Sequence, residues 1–270
     1  MIVRDASNRL TGRMRYATSP SPASSYDADA SAYFAAVTTP FSAARKAIIN
    51  TLVTTLKADG NWTKLDRLWL MANEASDQGL ISLVNPTSTA MTLVNAPIFT
   101  VDQGFAGDAI TKSINTNFIP SVNGVNYTTT NASMGLYCRT NDVTTNQVDM
   151  GSSDGTLSDF IISFTGTLYM RMNNGFASTA VASTLGLFSA RVTPTDSYAN
   201  RNGSQIVTDA TNPSYLPVTA HFGLARNDLG VAVAFSNKQH SIYYMGSSDI
   251  NDATFYTAIQ NYMTSLGTQV

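Results

Sequence analysis

From about Leu68 to Met245 the chain is a succession of short apolar alternations interrupted by turn residues, roughly one interruption per ten positions. Side chains that alternate with period two bury one face of a sheet and wet the other, so this stretch can build strands and little else. Candidate strands run over 67–72, 80–84, 91–94, 97–101, 110–115, 133–139, 146–150, 158–164, 167–172, 185–193, 196–200, 205–208, 218–225, 230–235 and 240–245. Asn-Gly pairs beginning at Asn123, Asn174 and Asn202 mark tight turns, because both central residues of a type I′ turn need positive φ. In TDSYANRNGSQIV, Arg201 to Ser204 can close a hairpin. So many strands with helices only near the termini imply a mainly β fold: a two-sheet antiparallel jelly-roll sandwich with an N-terminal helix and a C-terminal helix.

The two ends carry those helices. In SSDINDATFYTAIQNYMTSLG, Asn251 is the expected N-cap, Asp252 puts negative charge in the first turn, and Gly267 follows the last apolar residue as a stop. Phe255, Tyr256, Ile259, Tyr262, Met263 and Leu266 recur at helical spacing and need a β-body to dock on. At the other end, Thr39 and Pro40 suit a helix start, Phe41, Ile48, Ile49, Leu52, Val53 and Leu56 share a side, and Gly60 ends the helix. Residues 1–38 have no hydrophobic period and contain SPSPASS, which reads as an extended arm. Arg4, Arg9, Arg13 and Arg15 make that arm basic and suited to an acidic neighbour in an assembly; they are four of the 16 lysines and arginines. The expected organisation is an arm over 1–38, an amphipathic helix over 39–60 and a sandwich with its terminal helix over 61–270.

Charged residues are only 13% of the chain and the net charge is -2, which gives no electrostatic footprint for nucleic acid. Cys138 is the single cysteine, so neither an intrachain disulfide nor a thiolate metal cluster can form, and a small core residue in a strand is its expected role. MIVRDASNRLTGRMRY carries charges throughout and lacks the apolar run of a secretory signal. No stretch approaches the roughly 18 apolar residues of a membrane span.

Three segments carry a family resemblance. GFAGDAITKSINTNF resembles a glycine-rich turn leading into a strand in the laminin G-like branch of the concanavalin A-like lectin and glucanase superfamily. SYANRNGSQI resembles the hairpin of such domains, and FSNKQHSIYYMGSSDINDATFYTAIQNYMTSLG resembles their strand-plus-helix ending in bacteriophage structural proteins. The likeness covers roughly residues 60 to 267. It implies a lectin-like sandwich in a phage virion, made in the host cytoplasm. The implied partners are other virion proteins, further copies of the chain and host-surface glycans.

Some members of that superfamily cleave β-glucans with paired glutamates, and glycoside hydrolysis needs two flanking carboxyl groups. This chain has one glutamate, Glu74. Neither His221 nor His240 sits near a Gly-x-Ser-x-Gly nucleophile elbow, and no catalytic residue is assigned. Two histidines without cysteine ligands make no zinc site. Asn141 with Asp142 and Asn227 with Asp228 suit calcium, as in some lectin relatives, and turn formation explains them equally, so calcium stays an open alternative and no cofactor is assigned. Alternation leaves Tyr137 and Arg139 opposite Met134, Leu136 and Cys138, and leaves Tyr169 and Arg171 opposite Leu168, Met170 and Met172. If those strands were neighbours, Tyr137, Arg139, Tyr169, Arg171 and His221 would form an aromatic and basic glycan-binding patch. The alternatives are a free-standing carbohydrate-binding module and a glycan-cleaving enzyme.

Overall fold

The computed structural model describes residues 26–164 and 166–270, so Arg4, Arg9, Arg13 and Arg15 lie outside the described residues. The helices are α1 (Ala28–Ala36), α2 (Ala43–Ala58), the short α3 (Pro120–Asn123) and α4 (Asp252–Ser265). The strands are β1 (Leu65–Leu70), β2 (Thr92–Val94), β3 (Ile98–Thr100), β4 (Gly104–Ala106), β5 (Ser113–Asn115), β6 (Ala132–Cys138), β7 (Gln147–Ser153), β8 (Ser158–Phe164) and β9 (Thr167–Met172). They continue with β10 (Gly175–Ala180), β11 (Gly186–Val192), β12 (Asp196–Arg201), β13 (Ser204–Ala210), β14 (Phe222–Gly223), β15 (Arg226–Asp228), β16 (Val231–Val233) and β17 (Gln239–Gly246). None of the described helices is long and apolar enough to cross a membrane.

Two sheets form the expected sandwich. Sheet I runs β13-β12-β11-β6-β17-β4-β3, with β1 also paired to β17. Sheet II runs β10-β9-β8-β7-β14-β5-β2, and the short β15 adds one parallel contact to β7. Between the sheets lie Trp69, Phe105, Met134, Leu136, Met150, Ile161, Met170 and Phe188. A second core, with Leu68, Leu70, Tyr137, Ile242 and Tyr244, joins the other face of sheet I to α1, α2 and α4. Sheet I is therefore covered on both sides, which is why every residue of β6 is buried. Gly135 in that strand is required by crowding, since a Cβ there would stand 2.2 Å from the Tyr244 ring.

The terminal helix forms as its caps and stripe direct. The Asn251 side chain accepts from Thr254 N at 3.2 Å, and Phe255, Ala258, Ile259, Tyr262 and Met263 are buried. Burying those five side chains contributes on the order of ten kcal/mol before ordering entropy is subtracted. Tyr262 donates to the Ala72 carbonyl at 2.7 Å, and Arg191 of β11 pairs with Asp252 in the first turn. The first helices differ from expectation. The cap of α2 is Ser42, whose hydroxyl accepts from Arg45 N at 3.1 Å while Glu74 accepts from Ser42 N at 2.9 Å. Thr39 N instead donates to Asp77, and Pro40 stays outside the helix. Residues 28–36, expected to be part of an extended arm, form α1; its Ala30 and Tyr33 are buried, and Asp27 caps it. Lys57 of α2 ties it down through Asp27 and Asp29, each at 2.6 Å.

The Asn-Gly pairs take three different forms. Asn202 and Gly203 have φ of 49° and 79° between β12 and β13, as a type I′ turn requires. At the next pair the turn is shifted by one residue, with Asn173 and Asn174 at φ 48° and 73° and Gly175 already in β10. Asn123 and Gly124 end α3 and make no hairpin.

Candidate binding face

Among the described residues no helix layer covers sheet II; β7 at its centre is buried throughout, but the outer face is open at β8, β9 and β10. On β9, Leu168, Met170 and Met172 are buried in the inter-sheet core while Tyr169 and Arg171 point the other way. Arg171 stands between two aromatic neighbours: Phe160 of β8 is its ladder partner on one side and Phe176 of β10 on the other. Phe176 is 42% exposed, and its ring lies 6.0 Å from that of Tyr169. Arg171 Nη2 donates to the Asn174 side chain at 3.2 Å, which fixes the guanidinium on the face without an ion-pair partner among the described residues. Sequence reasoning found Tyr169 and Arg171 and missed Phe160 and Phe176. The signal for both was their alternation with Ile161 and Ala177, which are buried.

The other expected members of the patch lie elsewhere. Tyr137 and Arg139 belong to β6 and its exit in sheet I, so they are not neighbours of Tyr169 and Arg171. Tyr137 is buried beneath α4, its hydroxyl 3.0 Å from Gln260 Oε1 and within 2.9 Å of Val270 N. Arg139 is half-buried, and burial lowers its pKa. His221 is enclosed between the sheets beside Tyr127, with Asp159 Oδ2 3.8 Å from its Nε2. The expectation of one shared face therefore fails for these three. Their strands read as outward-facing in isolation, but α4 covers the outer face of sheet I, and His221 precedes a strand only two residues long.

Two polar clusters are buried in the sandwich, one within sheet II beside the loop before β6 and one joining β7 to β17. Asp159 accepts from the Tyr127 hydroxyl at 2.7 Å and from Asn173 N at 2.8 Å. Burial pushes its pKa up to about 7 and pushes that of His221 down to about 3. In the second cluster, a bulge between Val148 and Met150 frees Asp149 from the β7–β8 ladder. Lys238 Nζ donates to its two oxygens at 2.9 and 3.2 Å, Ser236 Oγ donates at 2.9 Å, and His240 Nε2 lies 3.3 Å away. Burial raises the Asp149 carboxyl, but Lys238 and His240 outweigh it and hold its pKa at about 2. His240 Nδ1 is 2.7 Å from the Tyr243 hydroxyl. Asp149, Asp159, Lys238 and both histidines are buried, so their chemistry is that of internal polar ties, between the sheets at Asp149 and within sheet II at Asp159. Cys138 is also buried, and its thiol is pushed up to about 12.

Of the Asx positions named for calcium, Asp142 and Asn227 serve turns, Asn141 accepts from Thr184 N at 3.0 Å and Asp228 pairs with Arg226. Asp142 accepts from the amides and hydroxyls of Thr144 and Thr145, and Asn227 accepts from Gly230 N at 2.7 Å. Glu74 is occupied in holding Ser42 at the start of α2.

No family model and no curated protein sequence matches the chain. Solved structures do. The receptor-binding domain of botulinum neurotoxin C/D mosaic serotype aligns with TM-score 0.52 and 10% identity, over 73% of this chain and 51% of that one. The receptor-binding domain of botulinum neurotoxin D gives 0.51 and 7%, over 73% and 53%. The binding domain of serotype G gives 0.52 and 11%, over 73% and 51%. The chain thus spans about half the length of these matched structures, and at such identities the likeness is one of fold alone.

Proposed function

We propose that this chain is a non-enzymatic glycan-binding β-sandwich whose binding face is the open side of sheet II. The observation that carries the reading is the row Phe160, Arg171, Phe176, with Tyr169 beside it, on the sheet face without a helical layer. Aromatic faces stack on the C–H surfaces of sugars, and a planar guanidinium held by Asn174 offers donors to hydroxyl and carboxylate oxygens. On a glycan array the parent chain is expected to give discrete signals that Tyr169→Ala combined with Arg171→Ala abolishes. An unchanged binding pattern in the double variant overturns the assignment. Burial of Asp149 and Asp159 and the capping duty of Glu74 favour binding over glycan cleavage.

One observation favours a second reading, the virion role implied by the sequence resemblance. Asp27 N, at the start of α1, donates to Asn50 of α2, on the side of sheet I opposite the proposed face. An anchor formed by residues 1–25, including Arg4, Arg9, Arg13 and Arg15, leaves that face directed outward from a particle. Because α1 packs on α2, the informative truncation removes residues 1–25 only. It is expected to leave a folded body that fails to enter particles. Normal incorporation counts against the anchor.

A further inference from the structure

A cleft of about 290 Å³ opens at the flank of the sandwich, where β1 edges sheet I. Its walls are almost wholly polar: Asn85, Thr87 and Ser88 from one connection, Asn117 after β5, Asn123 at the end of α3, and Arg67 of β1. Arg45, Arg67 and Arg191 are the buried arginines among the described residues. Arg45 pairs with Asp102 and Arg191 with Asp252, as the cost of desolvating a guanidinium demands. Arg67 is only 9% exposed and has no such partner. Its guanidinium makes one hydrogen bond among the described residues, from Nη1 to the Asp66 carbonyl at 2.7 Å. The Asp66 carboxylate is turned to other donors, the amides of Val125, Asn126 and Tyr127 at 3.2, 2.9 and 2.8 Å. The Phe118 ring supports the guanidinium, with Cζ 5.3 Å from its centroid. Among the described residues Nε and Nη2 have no acceptor and are not buried, and in the same cleft the Ser88 hydroxyl is buried with no hydrogen-bond partner.

We propose that the Arg67 cleft binds the carboxylate of a small polyhydroxylated acid, of the sugar-acid class. Arg67 pairs with the carboxylate through its unused Nε and Nη2 donors, the geometry in which guanidinium and carboxylate meet in two parallel hydrogen bonds. The neutral groups take the hydroxyls. Asn123 Oδ1 is engaged by Ile119 N at 2.8 Å, which leaves its amide hydrogens as donors. Asn117 Nδ2 is engaged by the Ala90 carbonyl at 2.7 Å, which leaves its carbonyl oxygen as acceptor. A single cation among hydroxyls and amides matches a monoanion; a phosphate dianion calls for a second positive charge that the cleft lining lacks.

The test is a heteronuclear NMR titration of the whole chain with sodium D-glucuronate, D-glucose and sodium phosphate at matched ionic strength. Glucuronate is expected to give saturable shifts centred on residues 85–89 and 117–124, with glucose weaker by about tenfold or more, as loss of a charge-assisted pair implies. Arg67→Gln should reduce the glucuronate response by a similar factor. Thr89→Glu, at an exposed position on the same cleft, places a carboxylate of the chain itself near Arg67; it should block glucuronate and raise the thermal midpoint. Equal responses to glucose and glucuronate, tighter binding of phosphate, or full binding by a folded Thr89→Glu variant would overturn the assignment. The cleft is separate from the sheet II face, so Tyr169→Ala with Arg171→Ala should leave glucuronate binding intact, and each site can fail without the other.

Discussion

Asp159 and His221 share one dry space and respond to protons in opposite directions. With a folded pKa of about 7, Asp159 keeps a proton that the unfolded chain has lost, so its contribution to stability falls as pH rises from about 4 to 7. His221, at about 3 when folded, lacks a proton that the unfolded chain holds, so its contribution grows between about pH 3 and 6.5. The two slopes oppose each other where the windows overlap. Asp159→Asn removes the falling one, and stability should then climb more steeply than in the parent between about pH 4 and 6.5, by up to about 1.4 kcal/mol per pH unit. Urea midpoints measured across that range check it, and identical slopes in parent and variant would exclude the assignment. None of this was legible in the sequence. Asp159 lies one position from outward-facing Phe160, but only the assembly of sheet II, where β14 pairs with β7 and β7 with β8, and the loop before β6 bring it to His221 and Tyr127. Tyr169 and Arg171 were legible because β9 alternates without a bulge.

At the scale of elements, what could be read was whatever local chemistry determines. The α4 cap and stripe, the Asn202-Gly203 hairpin and the long strands β6, β8, β9, β11 and β17 follow from caps, turns and period. Misread elements are those whose pairing is set from outside. Residues 80–84 contribute one bridge, Ser82 to Trp69, because β1 needs only an edge cover there. The short β4 and β15 and the polar β10 show no alternation long enough to detect. Helix α1, sequence ADASAYFAA, buries just Ala30 and Tyr33 and so carries no apolar stripe. The hairpin tip also has a partner that its turn type does not reveal. A Cβ on Gly203 would lie 3.0 Å from Tyr256 Cβ and 3.1 Å from Ala253 Cα of α4, on top of the positive φ of 79°. Gly203→Ala should therefore destabilise the chain by about 1–2 kcal/mol from the left-handed backbone alone, and by more where α4 must shift. Gly203→Asn, which tolerates the dihedral and keeps the crowding, separates the two costs in thermal melts.

The described residues are arranged asymmetrically, with the helical layer on sheet I and none on sheet II. The helical side carries the second core and a groove between α2 and α4, while both proposed sites lie away from it, on the sheet II face and in the flank cleft beside Arg67. The order in which the chain leaves the ribosome has a further consequence. Strand β17 pairs with β1, β4 and β6, yet it is the last strand in the sequence, and α4, which covers it, comes later still. Until residues 239–265 emerge, sheet I has no centre, and its earlier strands wait with open edges and exposed apolar faces. A chain ending at residue 238 should accordingly be protease-sensitive throughout, with no stable N-terminal fragment; a resistant core in that truncation would contradict it. Completion of this fold is thus tied to the arrival of residues 239–265, so a product terminated before them is disposed of instead of persisting as a partly folded domain.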